Sequence, residues 1–511
     1  MASTFVGVRI ADRGLSASQV ALAATTNNIS NVNTTGYSRQ VVNQIAVGPA
    51  AVYNRSTVGN GTEVTSVSRV NSFRLDQKYW QENSTLGYYE TAADYLTQIE
   101  TYLDTSADDT TFSDMMDNFT SALATLSTDN STTARTTVLE YGQDICAYFN
   151  EAAESLTELR NEVNVEVKTT VEQINAYATQ IADLNQQITV AATAGAAANE
   201  LEDRRDLLVD ELSKLTDITV STATVYTAPD GTTTETYNIL INGSSLVNAN
   251  TARQLECYTI TGSGTSDGMY GIRWADTGKE LAVGDGGTLA AYLDVRDGSS
   301  SSGILYYMDQ LNSFARTFAE AFNEGVYADG TQYYAGHAGG YGLDGTTGTR
   351  FFTYDDTTSA DIANALAAGQ TLTDIYANIT AANISLTTDV TTDVDKIAAS
   401  SSASADGNNE NANDLISICR DANMFNPGSL VDFYDSVIAT LGTTSAYASR
   451  QNDRQSSLVS YIDDCRSAVS GVSTNEETAY LTKYQQAYDA SARALTTWSE
   501  VLATTINMTS D

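Results

Sequence analysis

Apolar side chains recur every seven residues at both ends of the chain. Near the N-terminus the repeat consists of Val8, Leu15, Leu22 and Ile29, with Ala11 and Val32 at the intermediate d positions. Near the C-terminus it consists of Leu481, Tyr488, Leu495 and Leu502, with Tyr484 and Trp498 at the d positions. A strict seven-residue repeat is typical of helices that wind around each other. We therefore predict two terminal helices, over 4–33 and from Thr474 onwards, that pair with each other.

The residues beside these repeats predict where the two helices end. Gly36 follows the first repeat, and glycine just past a helix tolerates the left-handed backbone that ends it. Thr474 followed by Glu477 predicts a capping box at the start of the last helix. Residues 1–62 carry a formal charge of +3 and residues 472–511 one of −3. Exposed ion pairs contribute only about 0.2–1 kcal/mol each, so charge favours the pairing while the apolar stripes hold it.

Between the termini the apolar period changes along the chain. Helical steps of three and four residues run through 74–104, 112–126, 133–159 and 163–188, and return over 304–322 and 412–471. A two-residue period begins near Asp217, and Pro229-Asp230-Gly231 within it predicts the turn of a β-hairpin. Residues 327–360 are rich in Gly, Thr, Asp and Tyr, a composition typical of loops.

These patterns predict a mainly α fold with β-rich insertions, elongated and discontinuous in sequence. It contains paired, coiled-coil-like terminal helices (1–62 and 472–511), a helical shaft domain (63–216, 297–326 and 410–471), an outer β-rich domain (217–296) and an outward insertion (327–409).

Composition excludes several classes of function. The 511 residues contain Lys+Arg 26 and Asp+Glu 64, a net charge of −38, which disfavours binding to nucleic acids and to anionic membrane surfaces. No run of about 18 apolar residues predicts a membrane span. The N-terminus lacks the basic start, apolar run and cleavage site of a secretory signal.

Residues capable of chemistry are few and scattered. His337 is the single histidine, and its Gly- and Tyr-rich surroundings predict a surface loop. The four cysteines have no C-x-x-C spacing, which predicts buried, inert thiols rather than a zinc site or a disulfide framework. No phosphate-binding loop, dinucleotide-binding turn or calcium loop is complete. We therefore expect neither enzymatic activity nor a metal or cofactor, and we assign no catalytic, cofactor-binding or metal-binding residue.

Two sequence motifs point to a family. The string NNISNVNTTGYSRQ at 27–40 resembles the N-terminal motif of bacterial flagellar axial proteins, and its Gly-Tyr-Ser-Arg-Gln ending is similar to that of the hook-associated proteins at the hook–filament junction. The C-terminal string SGVSTNEETAYLTKYQQAYDASARAL resembles the closing motif of the same family, and segments of residues 174–215 resemble its long helix and the turn that follows. Thr35 stands where the family usually has proline.

The resemblance implies a structural subunit of the bacterial flagellum, located outside the cell. It implies export by the flagellar type III apparatus without signal cleavage, and assembly into a ring or helical homo-oligomer that joins hook to filament. The implied partners are other copies of the chain, the hook protein, the next hook-associated protein on the filament side and an export chaperone at the C-terminal helix. The expected assembly interface consists of the two heptad stripes (Val8, Leu15, Leu22, Ile29, Val32, Leu481, Tyr484, Tyr488, Leu495, Trp498 and Leu502) with Tyr37 and Arg39 from the motif.

Two other functions stay open at this stage. One is another flagellar axial subunit, of the hook or of the filament. The other is a secreted glycan-binding or hydrolytic protein that uses the Tyr-rich segment 327–360.

Overall fold

The computed structural model describes residues 5–48, 51–53, 56–103, 111–227, 233–262, 264–328, 331–355, 357–403, 407–425 and 428–508. Long helices form most of it: α1 Val6–Ser30, α2 Phe73–Leu103, α3 Phe112–Thr128, α4 Thr132–Thr193, α5 Asn199–Leu215, α6 Thr288–Asp297, α7 Ile304–Glu324, α8 Ser359–Ala367, α9 Leu372–Tyr376, α10 Thr388–Thr392, α11 Glu410–Cys419, α12 Leu430–Ser470 and α13 Thr474–Met508. The prediction of a mainly α fold with terminal helices is confirmed.

The strands form small antiparallel sheets between the helices. They are β1 Gln40–Ala46, β2 Ala51–Tyr53, β3 Ser56–Val58, β4 Thr62–Arg69, β5 Ile218–Thr227, β6 Thr233–Ile241, β7 Ser244–Asn248, β8 Thr251–Ala252, β9 Leu255–Thr259, β10 Tyr270–Trp274, β11 Gly325–Ala328, β12 Thr331–Ala335, β13 Phe352–Tyr354 and β14 Ile384–Leu386. The largest sheet has the order β5-β6-β7-β8. Strands β5 and β6 pair as the predicted hairpin, with Ile218 opposite Ile241; its predicted Pro229-Asp230-Gly231 turn lies outside the described residues.

Helix α4, with 62 residues, is the element on which most of the body packs. The patterns over 133–159 and 163–188 belong to this one continuous helix. Ser131 caps its N-terminus, and the Ser131 side chain accepts a hydrogen bond from Ala134 N. Its N-terminal half packs in one core with α3, α7 and α11, and its C-terminal half packs in a second core with α5 and the β5–β8 sheet. A helix this long is stable because both halves bury an apolar face.

Helices α2 and α12 lie side by side in opposite directions and connect the body to the chain ends. Arg466 Nε lies 2.9 Å from Asp76 Oδ1 near the start of α2. At the other end, the Tyr434 hydroxyl donates a 2.7 Å hydrogen bond to Leu103 O. The end of α12 and the start of α2 are therefore held together where the chain leads into the terminal segments.

The segment 327–409 differs from the outward insertion that its composition predicts. Ten of its apolar residues are buried in the core around α3, α4 and α7: Phe351, Phe352, Tyr376, Ile379, Ala381, Ile384, Leu386, Val390, Ile397 and Ala399. Asn323 on α7 accepts hydrogen bonds from Phe351 N and Phe352 N at 2.8 and 3.0 Å. Gly142 on α4 lies against the Phe351 ring, where a β-carbon would approach within 2.7 Å. This segment is therefore part of the helical body.

Two smaller expectations also differ from the structure. Residues 288–297, placed almost entirely in the β-rich domain, form α6, whose Leu289 and Val295 are buried against neighbouring helices and sheet. The prediction that His337 lies on the surface is wrong: the side chain is fully buried. Its Nε2 accepts a hydrogen bond from Ala398 N at 2.9 Å, its Nδ1 lies 2.7 Å from Thr349 O, and burial lowers its pKa to about 4. The neutral ring acts as a core hydrogen-bonding residue.

All four cysteines are free. Cys146 and Cys419 are buried, as predicted, and burial raises the pKa of both thiols, to about 12 for Cys419. Cys257 and Cys465 are only half-buried, so the prediction of buried thiols is wrong for these two.

Candidate assembly site

The two terminal helices pair side by side in opposite directions. Gly7 lies against the Trp498 indole, Gly14 faces Ser491, and Asn28 Nδ2 donates a 3.1 Å hydrogen bond to Glu477 Oε2. On α1, Gly7 and Gly14 are seven residues apart and Gly14 and Asn28 are fourteen apart. Their partners on α13 have the same spacings in the reverse direction. The pair therefore keeps a seven-residue register over three heptads, the geometry that the two repeats predict.

The face of α1 that meets α13 consists of small residues rather than the predicted apolar stripe. The residues on this face are Gly7, Ala11, Gly14, Ser18, Ala21, Thr25 and Asn28, and all except Gly14 are buried. The predicted Val8, Leu15, Leu22 and Ile29 stand one residue further along and are half-buried, and Val32 is 36% exposed. One residue along a helix is a rotation of about 100°. The larger stripe therefore lies beside the contact line.

The predicted stripe of α13 lies closer to the helix contact. Leu481, Tyr484, Tyr488, Leu495 and Leu502 are half-buried, whereas most other residues of this helix are exposed. Trp498 is 42% exposed although its ring covers Gly7. Small residues on one helix thus accommodate the large residues of the other, which allows a close approach of the two backbones.

Asn28 joins both terminal segments through its side-chain amide, and sequence reasoning missed this role. Its Oδ1 accepts hydrogen bonds from the Tyr37 hydroxyl at 2.8 Å and from Gln40 N at 2.9 Å. Its Nδ2 donates to Gln40 O and to Glu477 Oε2. With 1% of its surface exposed, the amide satisfies four polar groups where α1, the loop after it and α13 meet.

The predicted capping box of α13 is wrong. Thr474 is the first residue of the helix, and Glu476 N donates a 3.5 Å hydrogen bond to Ser473 Oγ. Glu477 is 3% exposed and bonds to Asn28 instead of to the helix start. A pairing between residues 449 positions apart leaves no local sequence pattern, so the sequence alone favours a capping box.

The Gly-Tyr-Ser-Arg-Gln motif ties the terminal pair to the body. Ser38 N donates a 3.0 Å hydrogen bond to Asp203 Oδ2 on α5, and Arg39 N donates a 2.8 Å bond to Ser470 O at the end of α12. Arg39 Nη1 lies 3.3 Å from Glu476 Oε2, a partly exposed ion pair between the two oppositely charged termini. Burial raises the pKa of Tyr37 to about 12. Tyr37 and Arg39, which belong to the motif, therefore lie at the junction between the terminal pair and the body.

Acidic residues of α5 meet two arginines beneath this motif. Arg69 binds Glu202, Asp203 and Asp206 at 2.5–3.1 Å. Arg466 binds Asp76 and Asp210, both at 2.9 Å, and Trp80 Nε1 donates a 2.6 Å hydrogen bond to Asp210 Oδ1. Burial raises the pKa of Asp76 to about 6 and that of Asp210 to about 7. Sequence analysis missed this cluster because its members come from three distant parts of the chain, residues 69–80, α5 and the end of α12.

The raised pKa of Asp210 predicts a pH effect on stability. Between about pH 4 and pH 7 the folded chain keeps a proton on Asp210 that the unfolded chain releases, so stability is lost as the pH rises through this window. In Asp210→Asn we expect this contribution to vanish. The difference in unfolding free energy, wild type minus variant, should therefore fall with rising pH, by at most about 1.4 kcal/mol per pH unit.

Urea unfolding of both chains at pH 4, 5.5 and 7 measures this difference. Asp463→Asn is the control: Asp463 also faces Arg466, at 3.9 Å, but its side chain is 60% exposed, so this variant should keep the wild-type pH dependence. A difference between wild type and Asp210→Asn that stays constant from pH 4 to 7 would contradict the prediction.

Within the described part of the chain, no helix is long and apolar enough to cross a bilayer, and no three Asp, Glu, His or Cys side chains are placed to hold a metal ion.

Comparison with known proteins identifies the family to which this chain belongs. Residues 96–352 match the helical domain of the flagellar hook-associated protein FlgK. The chain is 30% identical to the flagellar hook-associated protein 1 of Bacillus subtilis (strain 168) over 99% of both chains. The chain belongs to the flagellar hook-associated protein FlgK family. It is 28% identical to the Escherichia coli (strain K12) member, over 97% of this chain and 98% of that one.

The two ends of the chain match models shared with other axial proteins of the flagellum. Residues 9–37 match the flagella basal body rod protein family, and residues 467–508 match the C-terminal region of the flagellar basal body rod FlgEFG proteins. These two ranges contain most of α1, the loop after it as far as Tyr37, and all of α13. The terminal pair is thus the part of this FlgK-family chain that resembles the wider set of axial proteins.

A solved structure has the same fold. The flagellar hook junction protein FlgK from Burkholderia pseudomallei superposes with a TM-score of 0.60 at 16% identity, covering 78% of this chain and 100% of that one. The sequence-based prediction of a structural subunit of the flagellar hook–filament junction is confirmed by the family. Membership also places the chain in the flagellum, in association with other axial components.

Proposed function

We propose that the chain joins hook to filament as a ring or helical homo-oligomer, and that the paired terminal helices form its assembly surface. The main support is the arrangement of α1 and α13. Small residues of α1 hold the two helices together, so the larger stripe Val8, Leu15, Leu22 and Ile29 is left half-buried at the side of the pair. On α13, Trp498, Val501 and Met508 are between 42% and 76% exposed. Apolar surface of this extent is typical of a helix that gains a further partner.

The remaining parts of the proposal follow from the family resemblance. The neighbours are the hook protein on one side and the next hook-associated protein on the other. The chain leaves the cell through the flagellar type III apparatus without signal cleavage, with a chaperone bound to α13, and is located outside the cell. Its work is structural rather than enzymatic.

The substitution Leu495→Asp tests the assembly surface. Leu495 is half-buried on the heptad stripe of α13, and a carboxylate there lacks a partner once the surface is covered, which costs several kcal/mol in each subunit, on the order of 2–5. We expect the variant chain to be exported, with its helical body folded, but to be unable to join hook to filament. Electron microscopy of flagella and immunoblots of the medium measure both effects.

Thr497→Asp is the matched control, because Thr497 is exposed on the same turn of α13. It adds the same charge away from the stripe and should leave filaments attached. Normal motility of the Leu495→Asp strain would show that the stripe is not an assembly surface.

A further inference from the structure

A polar cavity of about 480 Å³ lies where the terminal pair meets the body. Its walls come from the loop 32–38, the start of α2, the face of α5 and the end of α12. Six carboxylate side chains line it: Asp76, Asp203, Asp206, Asp210, Glu211 and Asp463. Arg466 is the basic residue among the described residues of the lining. We call this space the junction cavity.

Positive charge in and around the junction cavity does not match the number of carboxylates. Arg466 is shared between Asp76 and Asp210, and Arg69, next to the cavity, is already bound by three acids of α5. The Oδ2 atom of Asp76 has no hydrogen-bond partner among the described residues, although this residue is only 5% exposed. Burial raises the pKa of Asp76 and Asp210, as expected for carboxylates whose charge is incompletely compensated.

The spread of these carboxylates favours an organic cation over a metal ion. In the described residues no three of them converge closely enough to coordinate one ion. A guanidinium group instead carries five donors in a plane and can bind several separated carboxylates at once. The junction cavity therefore has the chemistry to take an arginine side chain from outside the subunit.

A second copy of the chain can supply that arginine. Residues 1–62 contain Arg9, Arg13, Arg39 and Arg55 against the single acid Asp12, in a chain with a net charge of −38. Arg13 donates to Asn60 O and Arg39 pairs with Glu476, but Arg9 is exposed near the start of α1. Arg9 is thus the basic side chain of described α1 that is presented outward.

The contact between copies follows from a head-to-tail arrangement along the axis of α1. Its 25 residues span about 37 Å at about 1.5 Å per residue. Copies arranged head to tail along this axis bring the start of one α1 next to the loop 32–38 that follows the other. The C-terminal end of a helix carries a partial negative charge, which adds to the attraction from the junction cavity.

We propose that Arg9 of one copy inserts into the junction cavity of the next copy and pairs with Asp463 and Asp76, linking subunits head to tail. This contact is heterologous, with different surfaces on the two copies, so it can repeat around a ring or helix. It rests on the proposed function, since it names a contact between copies that the assembled state contains.

Charge exchange at Asp463 tests the contact, because this residue is exposed and its replacement spares the buried ion pairs. We expect Arg9→Glu and Asp463→Arg each to reduce the fraction of hooks that carry filaments at least tenfold, and the double variant to restore more than half of it. Asp464→Arg, at the exposed neighbouring position outside the cavity lining, should have no effect. Melting curves of the purified chains must match that of the wild type.

A photo-crosslinking amino acid at position 9, in flagella of living cells, identifies the occupant. We expect crosslinked peptides from residues 32–38 or 463–472 of a second copy. Crosslinks confined to the hook protein or to another hook-associated protein, or single variants with normal filaments, would overturn the inference. If Leu495→Asp abolishes the attachment of filaments to hooks while these variants do not, the proposed function stands and only the head-to-tail contact is wrong.

Discussion

Deletion of residues 327–409, with the ends rejoined by a short linker, is expected to unfold the helical body around α4. The segment supplies Phe351, Phe352 and eight further buried apolar residues to the same core as α3 and α7. It also supplies Arg350, which lies 2.6 Å from Glu324 at the end of α7. Removing these buried side chains costs more free energy than the roughly 5–15 kcal/mol by which a folded domain is typically stable. Circular dichroism and thermal melting of the shortened chain measure the loss.

Two point variants within the segment separate core packing from chain length. Phe351→Ala removes a fully buried ring and should lower the unfolding free energy by about 3–5 kcal/mol. Tyr333→Ala removes an aromatic ring of which 65% is exposed and should change it by less than about 0.5 kcal/mol. If the deleted chain melts like the wild type, the outward-insertion interpretation of this segment is restored.

The segment was misinterpreted because its buried residues are diluted by turn residues. Phe352 and Ile384 enter the core from short strands of three residues each, which are too short to show an apolar period. Between them lie the helices α8 and α9, each begun by a threonine that forms a capping box with an aspartate. The Thr- and Asp-rich composition of this segment therefore reflects short capped helices. The sequence pattern alone does not distinguish such helices from loops of the same composition.

The long helices could be predicted because each buries one continuous apolar face. Helix α2 was expected over 74–104 and spans Phe73–Leu103; the run beginning at Ile304 is α7. The pairing of the terminal helices was also predicted correctly from their shared seven-residue repeat. The side of α1 that makes the contact was predicted wrongly, because hydrophobic periodicity favours Val8 and Leu15 over Gly7 and Gly14. Helices that pack closely have small residues at their contact, and small residues do not stand out in a hydropathy pattern.

The candidate site was predictable only in part for a similar reason. Tyr37 and Arg39 could be found because they belong to a contiguous motif. Asn28 belongs to the same string, but its role depends on Glu477 at the far end of the chain. A buried amide that bonds to distant residues leaves no periodic or local pattern, so only the fold shows that α1, the motif loop and α13 are joined at this one side chain.

The substitution Gly7→Ala is expected to separate the ends of the terminal pair. A β-carbon at position 7 overlaps the indole of Trp498, which must then leave α1. Gly14→Ala is the matched control on the same helix, because the β-carbon there lies 2.9 Å from Ser491 Oγ, a small side chain that can rotate away. Alanine otherwise favours a helix over glycine by about 0.5–1 kcal/mol. Gly14→Ala should therefore keep or strengthen the pair, whereas Gly7→Ala weakens it despite the same gain in helix propensity.

Hydrogen exchange of α13 and tryptophan fluorescence distinguish the two variants. In the wild type, Trp80 and Trp274 are 2% and 3% exposed, while Trp498 is 42% exposed, so displacement of Trp498 in Gly7→Ala shifts the emission to longer wavelength and raises exchange near residue 498. Filament attachment should fall in the same variant, because the apolar stripes of α1 and α13 no longer form one surface. Equal exchange in Gly7→Ala and Gly14→Ala would mean that the approach of Gly7 to Trp498 does not hold the pair together, and that the bonds of Asn28 and the contacts of the central heptads are sufficient.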